Sequence, residues 1–285
     1  GKTESYNPVD IINSQDFSRG LLRNEKRGAP MLRVSWPVGP GQLDLYAIGF
    51  VPNIYPGAKL RERAGLPVKR QESFSNGAKR DDLASALRWS GYFGDIDLGI
   101  IWFRGTGANP RMRVQPDGSL MPDYSRITQA GLDIQYLRGD SAFKGEVVHR
   151  SGQYNLSGVA KTYQAAVVGI EHNLYGVGGS ERDLVLIAEL ARDSRKAAAH
   201  SGFQNDLAVG ARMLFNDVED SEAVLLFSRD LDNGAQMISL TGSRRLSDSL
   251  TADASARWPM DFEDDPVSGS LARDAAVILS LTYGF

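Results

Sequence analysis

The chain has 285 residues, 42% of them hydrophobic and 24% charged, with a formal net charge of −3 and no cysteine. That charge balance excludes a nucleic-acid surface, and no apolar run reaches the roughly 18 residues of a membrane helix. A chain without cysteine suits passage through an oxidising compartment; with no secretory leader visible, it reads as cytosolic or already processed.

The first residues, GKTESYNPVD, read as the top of an upward strand whose lower half is missing, because 1–7 cannot span an apolar band of about 25 Å. The segment 8–29, PVDIINSQDFSRGLLRNEKRGA, follows as an external or inward-folded loop, with a short helix expected at 14–23. From residue 31 on, apolar residues recur at every second position, the mark of half-buried strands. In MLRVSWPV, Leu32, Val34, Trp36 and Val38 share one face, and Arg33 and Ser35 the other. Over 42–51, Leu43, Leu45 and Ala47 oppose Gln42, Asp44 and Tyr46. Over 96–103, Ile96, Leu98, Ile100 and Trp102 oppose Asp97 and Gly99.

QAGLDIQYL sets Ala130, Leu132, Ile134 and Tyr136 against Gln129, Asp133 and Gln135. DLVLIAEL sets Leu184, Leu186, Ala188 and Leu190 against a face holding Glu189. The stretch 181–200 also contains good helix formers, but its clean period-two face reads as a strand followed by a polar loop. Further on, Leu207, Val209, Ala211, Met213 and Phe215 oppose Asp206, Gly210 and Arg212. Leu250, Ala252, Ala254, Ala256 and Trp258 oppose Asp253, Ser255 and Arg257. Over 221–231 and 234–246 the faces are less clear and either assignment fits. The chain ends on AAVILSLTYGF, where Val277, Leu279, Leu281, Tyr283 and Phe285 alternate with smaller or more polar residues.

Short and long joins alternate. GPG at 39–41, GYFGD at 91–95, LRGDSA at 137–142, NDVEDSE at 216–222 and RRLSDS at 244–249 are short and rich in Gly, Asp, Asn and Ser, the residues of tight hairpin turns. The joins at 52–82, 104–123, 151–161, 191–204 and 260–272 are long, and DLDNGA at 230–235 breaks the alternation. A soluble sandwich has no reason to gather its long loops at one end, whereas a barrel crossing an outer membrane does. The expected fold is therefore all-β: a transmembrane antiparallel up-and-down barrel of about 14 strands, with short periplasmic turns and long extracellular loops. It forms a single domain over 1–285, of which 1–29 supplies an incomplete first strand plus a loop.

The final strand resembles the C-terminal signature of bacterial outer-membrane barrels, with Phe285, Tyr283, Leu281 and Leu279 at the alternating positions. The chain as a whole resembles porin-like barrels of Gram-negative bacteria, in the stretches YNPVDIINSQDF, FQNDLAVGARMLFNDVED and DLDNG. The resemblance implies integral outer-membrane localisation. It also implies that Leu279, Leu281, Tyr283 and Phe285 act as an insertion signal read by the outer-membrane insertion machinery. Trp36, Trp89, Trp102, Tyr136, Phe215, Trp258, Tyr283 and Phe285 fall at or near strand ends on the apolar face, as interfacial aromatic girdles do.

His149, His172 and His200 lack metal-ligand spacing. GVGGS at 176–180 lacks the setting of a phosphate loop and reads as a turn, and NDVEDSE reads as a polar turn rather than a Ca²⁺ site. No nucleophile motif stands out, so no enzyme, cofactor or metal is expected. The polar face carries Arg33, Asp44, Arg88, Asp97, Asp133, Lys144, Glu146, Glu171, Glu189, Arg212, Asp253 and Arg257. These are the candidate pore-lining residues, with both signs present and a slight acidic excess that would give a weak cation bias.

The function expected is a channel or porin for passive or substrate-selective diffusion of small solutes. The 8–29, 52–82 or 104–123 segments would fold inward as a constriction. Lys59, Arg61, Arg63, Lys69, Arg70, Lys79 and Arg80 form a basic cluster in 52–82 that would attract anionic solutes or lipopolysaccharide phosphates. The alternative is an outer-membrane component of a lipid or polysaccharide export system that docks a periplasmic partner.

Overall fold

The computed structural model describes residues 1–16, 25–53, 68–261 and 275–284. Period-two segments joined by tight turns can satisfy their backbone groups most directly by pairing with their chain neighbours. The strands that result are β1 (Ser14–Asp16), β2 (Glu25–Arg27), β3 (Met31–Val38), β4 (Gly41–Gly49), β5 (Ser73–Ser75), β6 (Leu83–Phe93), β7 (Ile96–Thr106), β8 (Arg111–Val114) and β9 (Leu120–Arg138). They continue as β10 (Ser141–Ser151), β11 (Tyr163–Leu174), β12 (Asp183–Asp193), β13 (Asn205–Leu214), β14 (Glu222–Asp230), β15 (Gln236–Ser247), β16 (Leu250–Met260) and β17 (Ala276–Tyr283). Thirteen of them form one antiparallel up-and-down barrel wall, in the order β3-β4-β6-β7-β9-β10-β11-β12-β13-β14-β15-β16-β17. Among the described residues no ladder joins β3 to β17.

The turns use the expected chemistry. Gly139, at φ 57°, closes the β9–β10 hairpin in a conformation that an L side chain rarely adopts. At 216–221, Asn216 and Asp220 take positive φ, and the Asp217 carboxylate accepts the Ser221 backbone N–H at 2.7 Å. That bond, with the Ser221 side chain, holds the Asp217 carboxyl below its ordinary range.

Register divides the wall into two faces. Outward rows such as Val38–Gly41–Gly91–Leu98–Ile134–Gly145–Val168–Leu190–Leu207 contain no charge until the strand ends. The charged residues on that face are Arg104, Arg126, Arg138, Arg192, Arg229 and Arg244, all near the ends of their ladders. Large apolar residues stand exposed along it, among them Leu225, Leu240, Val277 and Leu279, the last at 79%. For β14 and β15, where the sequence left the faces open, pairing with β13 and β16 turns Leu225, Phe227, Ile238 and Leu240 outward.

Trp36, Trp89, Trp102, Tyr136, Trp258 and Tyr283 all take outward register positions. Tyr136 stacks on Phe143, with centroids 6.1 Å apart. Leu279 and Leu281 face outward beside Ala254 and Ala252, while Phe285 lies outside the described residues.

Three sequence expectations need correction. Residues 1–7 form no strand and add none to the wall. The helix expected at 14–23 begins instead as β1, which pairs with β2; 17–24 lie outside the described residues. The joins at 52–82 and 104–123 are not plain loops. There β5 pairs parallel with the start of β9 and β8 pairs antiparallel with it, so β9 continues past the wall. In this annex the Asp123 carboxylate is held by Ser73, Ser75 and Arg111, and the Arg111 guanidinium lies 3.6 Å from the Tyr154 ring centroid.

Candidate functional site: the inner face and the segment across it

All twelve charged residues picked from the sequence occupy inward register positions. Asp44 lies opposite Arg88, Asp133 opposite Glu146, and Gly169 opposite both Lys144 and Glu189. Asp97 pairs with Gln135, Arg212 with Val224, Asp253 with Ser243 and Arg257 with Ser239. Arg33 pairs with Tyr46, and Glu171 with Ala142. Many are already neutralised. Arg33 meets Asp44 at 2.9 Å, Arg88 meets Asp133 at 2.8 Å, and Lys144 meets Glu171 at 2.5 Å.

Of the two places the sequence allowed for 8–29, outside or folded inward, residues 8–12 take the inward one, and residues 2–7 join them. Residues 2–12 run along the inner face, and backbone N–H groups point into its carboxylates. Glu146 accepts the N–H groups of Lys2, Thr3 and Val9 and the Thr3 hydroxyl. Glu189 accepts the Glu4 N–H at 2.6 Å, the Ser5 N–H at 2.7 Å and the Ser5 hydroxyl. Lys2 pairs with Asp97 of β7 and Glu4 with Arg212 of β13. Residues 2–5 therefore touch four strands that a flat sheet would spread over roughly 24 Å, so the wall curls around them.

Higher up, apolar and polar contacts alternate. Val9 packs in a buried cluster with Ile101, Val148, Tyr163 and Ala165, and Ile11 and Ile12 lean on it. They also reach a second cluster of Ile48, Ala84, Ala86, Phe103 and Ile127. The site for Val9 exists because residue 131 has no side chain: a Cβ on Gly131 would sit 2.7 Å from Val9 Cγ1. Arg150 donates to the Pro8 carbonyl at 3.2 Å and to Gln129, whose Nε2 donates to the Val9 carbonyl at 3.1 Å. Tyr163 stands between Arg195, 3.4 Å from its ring centroid, and Arg150 at 5.7 Å. Of these, only Gln129 was singled out in the sequence, as a polar strand position. The segment's Pro8 and Val9, which Arg150 and Gln129 hold, lie more than a hundred residues away in sequence and leave no local trace.

Among the described residues, no segment crosses the inner face along β14–β17. A cavity of about 920 Å³ lies against β14–β17, lined by Glu222, Thr241, Ser243, Asp253, Ser255, Ser280 and Thr282 among others. Its lining holds no Lys or Arg and two carboxylates, Glu222 and Asp253. On the neighbouring β13, Arg212 pairs with Glu4 of the segment.

The remaining sequence candidates lie elsewhere. His149 and His172 take outward positions at opposite strand ends, and His172 Nδ1 contacts the Ser141 hydroxyl at 2.9 Å. His200 sits in the join after β12, where burial and then the nearby Arg195 push its pKa below the ordinary value. GVGGS forms a turn with Gly176, Gly178 and Gly179 at positive φ. In the basic join, Lys69 pairs with Asp117 at 3.0 Å and Arg80 with Glu72. Hydrogen bonds from Ser119 and Lys69 pull the Asp117 carboxyl well below its ordinary range. Lys59, Arg61 and Arg63 lie outside the described residues.

No family model matches the chain, and no curated protein matches it. Among solved structures it is similar to the high-pH structure of Pseudomonas putida OprB, at 10% identity and a TM-score of 0.45, covering 88% of this chain and 70% of that one. No residue role passes from that protein to this chain.

Proposed function

We propose that the chain forms an integral outer-membrane channel through which small solutes diffuse along a charged, hydrated lumen. The supporting observation is the division of one wall into two chemistries. Its outward positions are apolar between the strand ends, and the twelve charged residues picked from the sequence take inward positions, with others such as Arg150 and Glu222 beside them. In water, an apolar exterior of this extent would far exceed the few hundred Å² that soluble proteins expose. In lipid it is the stable side, where each Arg or Lys at the midplane would cost about 2–4 kcal/mol.

The route for solute is the open side against β14–β17, since residues 2–12 fill the side against β7–β13. Rows of hydroxyls offer exchangeable hydrogen bonds there, and the two carboxylates favour cations over anions. The partners this reading implies are outer-membrane lipids and lipopolysaccharide at the outer face, small solutes inside, and the insertion machinery at Leu279, Leu281 and Tyr283.

Planar-bilayer recording of the refolded chain tests the reading, with heat-modifiable gel migration as the check on folding. Stable conductance steps with a cation preference are expected. Silence together with a stoichiometric co-purifying periplasmic protein would instead favour the export component. A chain that stays folded and monodisperse in plain buffer would refute both.

A further inference from the structure

We infer that Glu146 and Glu189 are positioning residues for a displaceable gate made of residues 2–13. The inference rests on the channel reading above. Both carboxylates take inward positions where a pore would be expected to present charge to solute, yet their oxygens are turned onto the chain's own backbone. Together they hold five N–H groups, those of Lys2, Thr3, Glu4, Ser5 and Val9. Consecutive N–H groups converging on a carboxylate form the same kind of anion cradle that backbone nests offer to phosphate. Here the anion belongs to the wall and the cradle to the gate.

Three features make the segment separable from the wall. Among the described residues, no ladder joins 1–13 to any strand, while β7 to β13 are paired on both sides without it. Its departure would break no hydrogen bond of the strand ladders. Its apolar anchorage is confined to Tyr6, stacked on Phe203 at 5.3 Å between centroids, and to Val9, Ile11 and Ile12. The surface it would uncover is rich in groups that water solvates well, including Asp97, Glu146, Glu189 and Arg212. A segment held by side-chain bonds and side-chain packing, with no ladder of its own, opens more readily than the strands, whereas the wall is locked by continuous ladders.

The absence of native cysteine makes thiol accessibility a clean readout. Val9→Cys is introduced alone and with Glu146→Gln and Glu189→Gln together. The refolded chains are placed in phosphatidylcholine vesicles and exposed to a charged, membrane-impermeant methanethiosulfonate. Each Gln keeps one acceptor oxygen and turns an amide NH₂ toward donors, so labelling should accelerate at least about tenfold when the charge-assisted bonds go. An unchanged labelling rate overturns the inference.

Should the Gln variants fail the heat-modifiability check, Val9→Cys with Gly131→Cys decides it, because a Cβ at 131 lies 2.7 Å from Val9 Cγ1. Reducing that disulfide should raise conductance at least about twofold as the segment leaves a lumen wide enough for water. Equal conductance in both redox states overturns the gate while leaving the channel standing. Accelerated labelling in a chain that never conducts would support the positioning role and remove the channel.

Discussion

Arg88 of β6 reaches over β7 to Asp133 of β9, placing Nη1 2.8 Å from Oδ2 and Nη2 2.9 Å from Oδ1. The residue of β7 between them is Gly99, which pairs with Ser90 on one side and Asp133 on the other. Any Cβ there would overlap both partners of the ion pair. Gly99, which the sequence put on the polar face of its strand, is the crossing point of the salt bridge from β6 to β9.

Asp133 is 1% exposed, so losing Arg88 strands a buried charge. Arg88→Met should destabilise the folded chain by about 3 kcal/mol, read from urea unfolding in vesicles by tryptophan fluorescence. Arg88→Met with Asp133→Leu should recover to within about 1 kcal/mol of the native chain, since the pair is then removed as a unit. Gly99→Val should act like the single variant. Equal stability of Arg88→Met and the native chain would show that the pair is solvated.

Selectivity should follow the open side of the lumen. Glu222→Gln and Asp253→Asn together remove the two carboxylates of the cavity lining. The reversal potential in a tenfold KCl gradient should then move toward zero. Neutralising Asp44, already held by Arg33, Ser35 and Gln42, should move it much less. A larger shift from Asp44→Asn would place the solute route on the other side.

The two faces should respond oppositely to the same charge. Leu240→Arg places a guanidinium on the outward face at mid-strand, beside Leu225 and Ala256. It should cost about 2–4 kcal/mol if that face meets lipid. Ser255→Arg, one residue along on the inward face beside Thr241 and Ile278, should cost less than about 1 kcal/mol, because it enters water. Unfolding curves in vesicles give both numbers, and equal costs would contradict the facing.

The join after β12 should be sensitive to acid. Burial, and then Arg195, lower the His200 pKa in the folded chain, so the unfolded chain binds a proton more readily. Its contribution is complete above the unfolded value of about 6.5 and is lost as pH falls through the lowered folded value. Amide exchange over 194–204, corrected for intrinsic rate, should quicken between pH 7 and 5, and His200→Gln should remove that dependence. A pH-independent profile in the native chain would show that His200 is solvated.

Much of the wall could be read from the sequence because alternation and turn chemistry are local. Leu43, Leu45 and Ala47 against Asp44 identify a two-faced strand without reference to any partner. The faces of β14 were ambiguous because Val224 and Leu226 turn inward while Leu225 and Phe227 turn outward, so only the register with β13 decides them. For the lumen segment the sequence left 8–29 either outside or folded inward, and its contacts were out of reach for a different reason. Its period is neither that of a strand nor that of a helix, Pro8 interrupts it, and its backbone pairs with the side chains of Glu146 and Glu189. Those two glutamates take inward register positions, and their partner leaves no trace in the local pattern.

The most direct test concerns what lies outside the wall. Trp36, Trp89, Trp102 and Trp258 are the chain's four tryptophans, and all take outward register positions. In vesicles containing brominated phosphatidylcholines, their fluorescence should be strongly quenched by the lipid and nearly untouched by aqueous iodide. Efficient quenching by iodide with none from the brominated chains would put these residues in water, and the membrane-spanning wall would be refuted.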